Sequence, residues 1–424
     1  MTEQFYQQQT TDADTIHQSL HEVKDVVQTS CCVVGGGPAG VMLAYLLARQ
    51  GVPVTLLESH MDFERDFRGD TIHPSGMEIM EQLGLADKLL QLRHVKMPRL
   101  DFQTPQGELA LARFDELHTK YPYITVIAQA QFLAFMVEEA RRYPCFHLVM
   151  GAQVDELIEE NGKIDGIRYH GIDGWHEIHA LLTVGCDGRF SRLRKLAGFE
   201  PIKTAPPMDI LWFRLSRNAD EPEGVFGNFG DHAIVATIDR LDYWQVGYII
   251  PKGGYQQLRA QGLEHLRQSI ASVVPALTSH VNELTEWKQI SVLAVESNRL
   301  PRWYRPGLLL IGDAAHVMSP VGGVGINYAI QDAVVTANLL GSKLKRGAVY
   351  ERDLAEVQRK RELPVRVIQF AQQIIQKQVF ERVMNSEQPF IASSLLRLFL
   401  KIPYLRTLPA RLVGYGLFPA HVKM

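Results

Sequence analysis

Residues 308–341, LLLIGDAAHVMSPVGGVGINYAIQDAVVTANLLG, combine a strand, an acidic turn, a glycine loop and a helix in one stretch. Leu308–Ile311 is a continuous apolar run ending in glycine, the pattern of a strand covered on both faces. Gly312-Asp313 forms the turn. Asp313 stands just past the strand end, where a carboxylate accepts hydrogen bonds from sugar hydroxyls. Ile326, Ile330, Ala333, Val334, Ala337 and Leu340 share one face of the helix that follows. Between them, Pro320, Gly322, Gly323 and Gly325 leave backbone bare enough for a flat ligand to approach. A helix starting after Asn327 offers unpaired N–H groups and the positive end of its dipole.

Working outward, residues 30–58 read SCCVVGGGPAGVMLAYLLARQGVPVTLLE. The spacing predicts a strand at Cys31–Val34, a G-x-G-x-x-G turn over Gly35, Gly37 and Gly40 that encloses Pro38 and Ala39, a helix at Val41–Arg49, and a second strand at Val52–Leu57. Glu58 follows, about twenty residues past the glycines, where this motif meets a ribose hydroxyl. Gly35 allows the tight turn, Gly37 lets a pyrophosphate approach, Gly40 lets helix pack on strand, and the helix N-terminus faces the phosphates. An acid at position 58, in place of arginine, suits an unphosphorylated ribose.

A third cluster is VGCDGRFSRLRKLAG, residues 184–198. A strand delivers Asp187-Gly188 to a turn, and Ser191, Arg192 and Arg194 open a helix. An acid and an arginine at a strand end suit a dinucleotide; a plain turn before a basic helix is the alternative. Arg68, in the loop before a short helix, either approaches such a ligand or stands in solvent. His73 faces either the site or the solvent, and the solvent reading is favoured. Ser75 and Glu78 have the spacing of a capping box.

Between these clusters the period changes. Residues 97–125 alternate as hairpin strands do, and Gln129–Arg142 reads as a helix. His147–Val154 and Ile164–Tyr169 read as strands about an Asn161-Gly162 turn. From 201 to 295 alternating strands carry Trp212, Arg214, Phe226 and Tyr243, with a single helix at Gly262–Val274. These four residues are candidates for the lining of an apolar pocket, although aromatic residues on a sheet usually serve its core. Tyr350–Gln376 is a long charged helix with Pro364 inside it. The stretch after 388 is apolar and basic. It reads as a cap packed on the body, with a membrane-touching surface as the less favoured alternative.

Composition narrows the class. With 44 Lys+Arg against 47 Asp+Glu, the net charge of -3 supplies no field for nucleic acid. The four cysteines, at 31, 32, 145 and 186, have no metal-ligand spacing and read as reduced thiols in a cytoplasmic protein. Residues 1–28 are polar, lack the regions of a signal peptide, and read as a mobile tail. No run reaches the length of a membrane span.

Taken in order, GGGPAG, CDGRFSRLR and IGDAAHVMSPVGGVGIN resemble the single-component FAD-dependent aromatic hydroxylases, over about residues 30–375. The resemblance implies an α/β fold: a Rossmann-like FAD-binding domain made of separated segments (29–96, 128–200 and 296–345), with substrate-domain strands at 97–127, an inserted antiparallel sheet at 201–295 and a helical region at 346–424. It implies that Gly35, Gly37, Pro38, Ala39, Gly40 and Glu58 hold the ADP half of FAD, that Arg68 lies along the ribityl-phosphate region, and that Asp313 binds ribityl or pyrophosphate atoms. Pro320, Gly322, Gly323, Gly325, Ile326 and Asn327 would surround the isoalloxazine, and Asp187 and Arg194 would serve FAD and NAD(P)H. Gln129 departs from the family, where many relatives carry arginine. The implied activity is hydroxylation of an electron-rich small aromatic molecule through a flavin C4a-hydroperoxide, with NADH or NADPH and O₂ as co-substrates. It needs no metal and no second Rossmann domain, and it suits a monomer or a homodimer. Rival readings are a halogenase, against which the missing Trp-x-Trp-x-Ile element speaks, an enzyme acting on a lipophilic quinone or polyprenyl substrate, and a non-catalytic FAD-binding protein.

Overall fold

A computed structural model describes residues 23–64, 70–104, 107–218, 220–221, 224–230, 233–380, 383 and 402–423. Two sheets organise them. The first has eight strands, and its main path runs Tyr304–Arg305, Leu308–Leu310, Trp175–Gly185, Val23–Val34, Val54–Glu58, Phe146–Met150. The four pairings from Leu308–Leu310 to Phe146–Met150 are parallel. Their apolar runs are continuous because both faces are covered: Val54–Glu58 and Leu308–Leu310 are buried at every position. Helices Pro38–Arg49 and Gly325–Lys345 pack against each other over this sheet, and Gln129–Ala140 packs on the first of them.

The first strand is longer than its apolar core. It begins at Val23, so residues 23–28, expected in a mobile tail, are strand. Trp175–Gly185 runs on past the core and offers these residues a parallel partner, from Val23 opposite Trp175 to Gln28 opposite His179. Backbone pairing, not burial, extends the strand, since Lys24–Gln28 remain exposed. The run expected as one strand at His147–Val154 is two, ending at Met150 and restarting at Gln153, with Gly151 between them at φ +70°. Asn161 and Gly162 both take positive φ, as the tight turn of the following hairpin requires.

The second sheet has seven strands, in the order Ser291–Leu293, Met208–Ser216, Tyr243–Pro251, Ala233–Asp239, Val225–Gly230, Arg99–Thr104, Gly107–Arg113. All pairings are antiparallel except that of Val225–Gly230 with Arg99–Thr104. Leu211, Phe213 and Leu215 face two helices, Tyr255–Gln261 and Leu263–Val273. The helix expected at Gly262–Val274 is found at Leu263–Val273; Tyr255–Gln261, which was not expected, precedes it, and Gly262, at φ +94°, separates the two. The alternate residues Ile210 and Trp212 face the other way, with Ile234, Ile249, Val295 and Phe380.

Helix Glu351–Ile375 carries Pro364 and lies along Gly325–Lys345. Residues 402–423 pack on the body. Ala410 is fully buried, the Tyr415 hydroxyl donates to Glu78 (2.6 Å), and the Asn338 amide donates to the His421 carbonyl (2.8 Å). The cap reading therefore describes these residues. No helix among the described residues is long and apolar enough to cross a membrane.

Candidate functional site

A cleft of about 710 Å³ runs from the glycine turn of the first sheet to the inner face of the second. At one end, Gly35, at φ +106°, donates its N–H to the Leu57 carbonyl (2.7 Å). Gly40 lies under the turn, not on the cleft wall: a Cβ there would fall 1.9 Å from the Gly35 carbonyl oxygen. Gly37 is the opposite case, with nothing within 4 Å of an added Cβ. Gly36, Gly37, Pro38 and Ala39 thus present the N-terminus of their helix to the cleft. Glu58 lines the same end. One carboxylate oxygen accepts the Gly36 N–H (2.9 Å) and the other the His60 N–H (2.9 Å).

Asp187 forms the adjoining wall. Its carboxylate accepts from the Ser191 hydroxyl (2.6 Å) and the Leu193 N–H (3.0 Å), and burial lifts its pKa above the usual carboxylate value despite those bonds. Arg194 does not share this wall. It is buried behind it, donating to the carbonyls of Ala314 (3.1 Å) and Arg189 (2.5 Å), so it braces the segment that carries Asp313. Arg189, Phe190 and Arg192 line the cleft instead.

Asp313 sits in a 3₁₀ turn, Gly312–Ala314, and lines the cleft. The turn is pinned from behind by Asp332, which is fully buried. Asp332 accepts from the Gly312 N–H (3.0 Å), His316 Nε2 (2.6 Å) and Arg361 Nε (2.7 Å). Burial works to raise the Asp332 pKa, but the facing His316 and Arg361 outweigh it and hold the carboxyl below its ordinary value.

The glycine loop follows. Pro320, Gly323, Gly325 and Ile326 line the cleft, whereas Gly322 turns toward Val413. The helix starts at Gly325, not after Asn327, so Asn327 lies inside its first turn. The Asn327 side chain accepts the His73 N–H (2.9 Å) and donates to the Thr71 carbonyl (3.3 Å). The Thr71 hydroxyl donates to the Gly323 carbonyl (2.9 Å). His73, read as solvent-facing, is fully buried, with Nδ1 2.7 Å from the Val413 carbonyl, and burial pushes its pKa down to about 4. The capping box is absent: His73 is the N-cap of helix Pro74–Gln82, Ser75 lies inside the helix, and Glu78 accepts from Thr119 and Tyr415.

Gln129 lines the cleft and donates its backbone N–H to Asp70 (3.0 Å). Arg68 lies outside the described residues. On the second sheet, Trp212 lines the cleft, with Ile238, Leu293 and Val295. Arg214 is exposed over the Tyr243 ring (5.0 Å), and neither lines the cleft. Phe226 is on the opposite face, packed with Trp244 and the helix-side core. Sequence reasoning missed Asp70, Arg240 and Gln245, which meet on the cleft wall; no local spacing marks them.

The profile of an FAD binding domain matches residues 28–371. The chain is 34% identical over 340 residues to 6-methylpretetramide 4-monooxygenase of Streptomyces rimosus, covering 80% of this chain and 81% of that one. Among solved structures, Pseudomonas aeruginosa PqsL in complex with 2-aminobenzoylacetate superposes with a TM-score of 0.73 at 20% identity, over 85% of this chain and 99% of that one. The anhydrotetracycline hydroxylase OxyS of Streptomyces rimosus gives a TM-score of 0.72 at 22% identity, over 92% and 76%. These two share the fold. With the profile match and the 34% identical relative, they place the chain: it belongs to the FAD-dependent aromatic hydroxylases and is an FAD-dependent monooxygenase.

Proposed function

We propose that this enzyme hydroxylates a flat, multi-ring, electron-rich aromatic molecule, with one atom of O₂ and with NADH or NADPH as reductant. The observation that carries this is the continuity of the cleft: one space joins the glycine turns to the apolar face around Trp212. The names of the S. rimosus relative and of OxyS support a tetracycline-like ring system.

FAD fits the residues present. The glycine turn and its helix N-terminus suit the pyrophosphate, Glu58 the adenosine ribose, and Asp313 the ribityl chain. The bare backbone at Gly323 and Gly325, at the start of a second helix, suits the ring system. Gly35 and Gly40 serve by close packing, and Gly322 and Asn327 hold the loop from outside the cleft. Gln129 and Asp187 flank the cofactor, and Asp187 takes part in NAD(P)H handling with Arg194 as the brace behind it. FAD, when bound, supplies reducing equivalents from the nicotinamide and the activation of O₂. The protein orients the substrate ring, and the second sheet keeps water from it. The enzyme works in the cytoplasm, where reduced nicotinamide is at hand and buried thiols such as Cys31 and Cys32 stay reduced.

The deciding experiment supplies ¹⁸O₂ and NAD(P)H with a panel of hydroxylated polycyclic aromatics. The expected result is substrate-stimulated NAD(P)H consumption and one ¹⁸O atom in the product. Label arriving only from water, or a product reduced or halogenated, overturns the reading.

A further inference from the structure

On the cleft wall, three polar side chains interrupt an apolar surface. Arg240 follows strand Ala233–Asp239, Gln245 lies on the next strand, and Asp70 comes from the loop ahead of the glycine-loop brace at Thr71. The Arg240 side chain is 9% exposed and that of Asp70 14%. Arg240 Nε and Nη2 both donate to Gln245 Oε1 (2.8 and 2.6 Å), and Nη2 also meets Asp70 Oδ2. The second guanidinium edge, at Nη1, is not used by these partners. Ile238, Trp212, Leu293 and Val295 supply the apolar surroundings.

Asp70 is a shared carboxylate. Gln245 is neutral, and Asp70 already receives the Gln129 N–H on its other oxygen. Burial raises the Asp70 pKa, opposed by Arg240, so Arg240 is paired with a carboxylate whose charge its surroundings disfavour. An enclosed guanidinium in this position offers Nη1 to a second anionic oxygen as a charge-assisted hydrogen bond.

We infer that Arg240 selects the substrate by docking an anionic oxygen, an enolate, phenolate or carboxylate, on the edge of the ring system, while Asp70 holds the guanidinium and competes with that oxygen. This rests on the proposed aromatic hydroxylation and names the chemical class the site prefers. It also assigns opposite effects to the two members of the pair. A pair that served only to join the second sheet to the loop at Asp70 would respond alike to loss of either member.

The test uses the FAD-loaded, full-length enzyme and two flat probes, anthraquinone-2-carboxylate and 2-methylanthraquinone, titrated by perturbation of the flavin spectrum. The unsubstituted enzyme should bind the carboxylate roughly ten- to a hundredfold more tightly, as one charge-assisted contact provides. Arg240→Gln should bring the two probes near parity by weakening only the carboxylate. Asp70→Asn should tighten the carboxylate several-fold and leave the neutral probe unchanged. Arg240→Lys should keep part of the preference, and with Asp70→Asn it decides the matter should Arg240→Gln fail to hold FAD. Weakening of the carboxylate by Asp70→Asn, equal weakening of both probes by Arg240→Gln, or no preference in the unsubstituted enzyme, binding of neither probe included, overturns the inference. Binding and oxygen transfer are read separately. A charge preference without ¹⁸O incorporation sinks the reaction and spares Arg240, and the converse result sinks Arg240 alone.

Discussion

The nucleotide end of the cleft and its sheet-walled end are built on different principles. The first is made of backbone: the turn at Gly35–Gly37, the start of helix Gly325–Lys345 and the carbonyls gripped by Arg194. Its side chains mostly serve from behind, as Asp332 and Asn327 do. The second is made of side chains, Trp212, Ile238, Arg240 and Gln245, set on a regular antiparallel frame. A backbone site tolerates little change and recognises a constant ligand. A side-chain site on a rigid sheet is altered one residue at a time, which suits a substrate that differs among relatives.

The largest effect that would break this contrast lies behind the cradle. Asp332→Asn leaves Arg361 buried without its carboxylate, and removal of one partner of a buried ion pair costs about 3–5 kcal/mol. Chemical denaturation should show that loss. A joint Asp332→Asn, Arg361→Met substitution, which removes both charges, should recover much of it. A single variant as stable as the parent would mean that the cradle does not depend on its hidden brace.

Acid should produce a somewhat smaller effect. His73 is fully buried with its pKa near 4, against about 6.5 in an unfolded chain. Between those values the unfolded chain binds a proton that the folded one refuses, so stability falls as the pH drops from 6.5 toward 4. At 1.36 kcal/mol per unit the loss is on the order of 3 kcal/mol. His73→Gln should flatten this part of the stability-against-pH curve. An unchanged slope would remove His73 from the account.

The smallest effect is the sharpest comparison of the two ends. Asp313→Ala should lower FAD affinity by roughly ten- to a hundredfold, through loss of charge-assisted hydrogen bonds worth about 1.5–3 kcal/mol. Trp212→Leu, at the other end, should leave FAD affinity nearly unchanged and raise the KM for the aromatic substrate, since Trp212 lines the sheet-walled end and not the glycine turns. Titration of apoprotein with FAD checks both. Equal losses would show that the two ends form a single site.

The same contrast explains what was legible in the sequence. Glycines 35, 37 and 40, Glu58 and the run from Asp313 to Asn327 are set by local spacing, and the parallel sheet followed from its apolar strands. The brace at Asp332 was hidden because its partner Arg361 comes from another helix. Asp70 and Arg240 are 170 residues apart in the chain and meet only through the packing of sheet on loop. Phe226 was assigned to the pocket because an aromatic on a strand looks alike from either side; strand parity, fixed by its neighbours, turns it to the helices. Ser75 and Glu78 have the spacing of a capping box, yet Thr119 and Tyr415, distant in sequence, claim the Glu78 carboxylate.

The bond between His73 and the Val413 carbonyl bears on the order of assembly. Synthesis runs from the N-terminus, so the glycine turn at 35–40 leaves the ribosome first and the glycine loop at 320–325 much later. Residue 413 emerges later still, and only then does His73 find the partner that settles it beside Gly323. A nascent chain halted before that point owns every glycine of the cradle but lacks the latch over the loop. The latch over the loop therefore closes only after the segment around Val413 has been made, well behind both glycine turns.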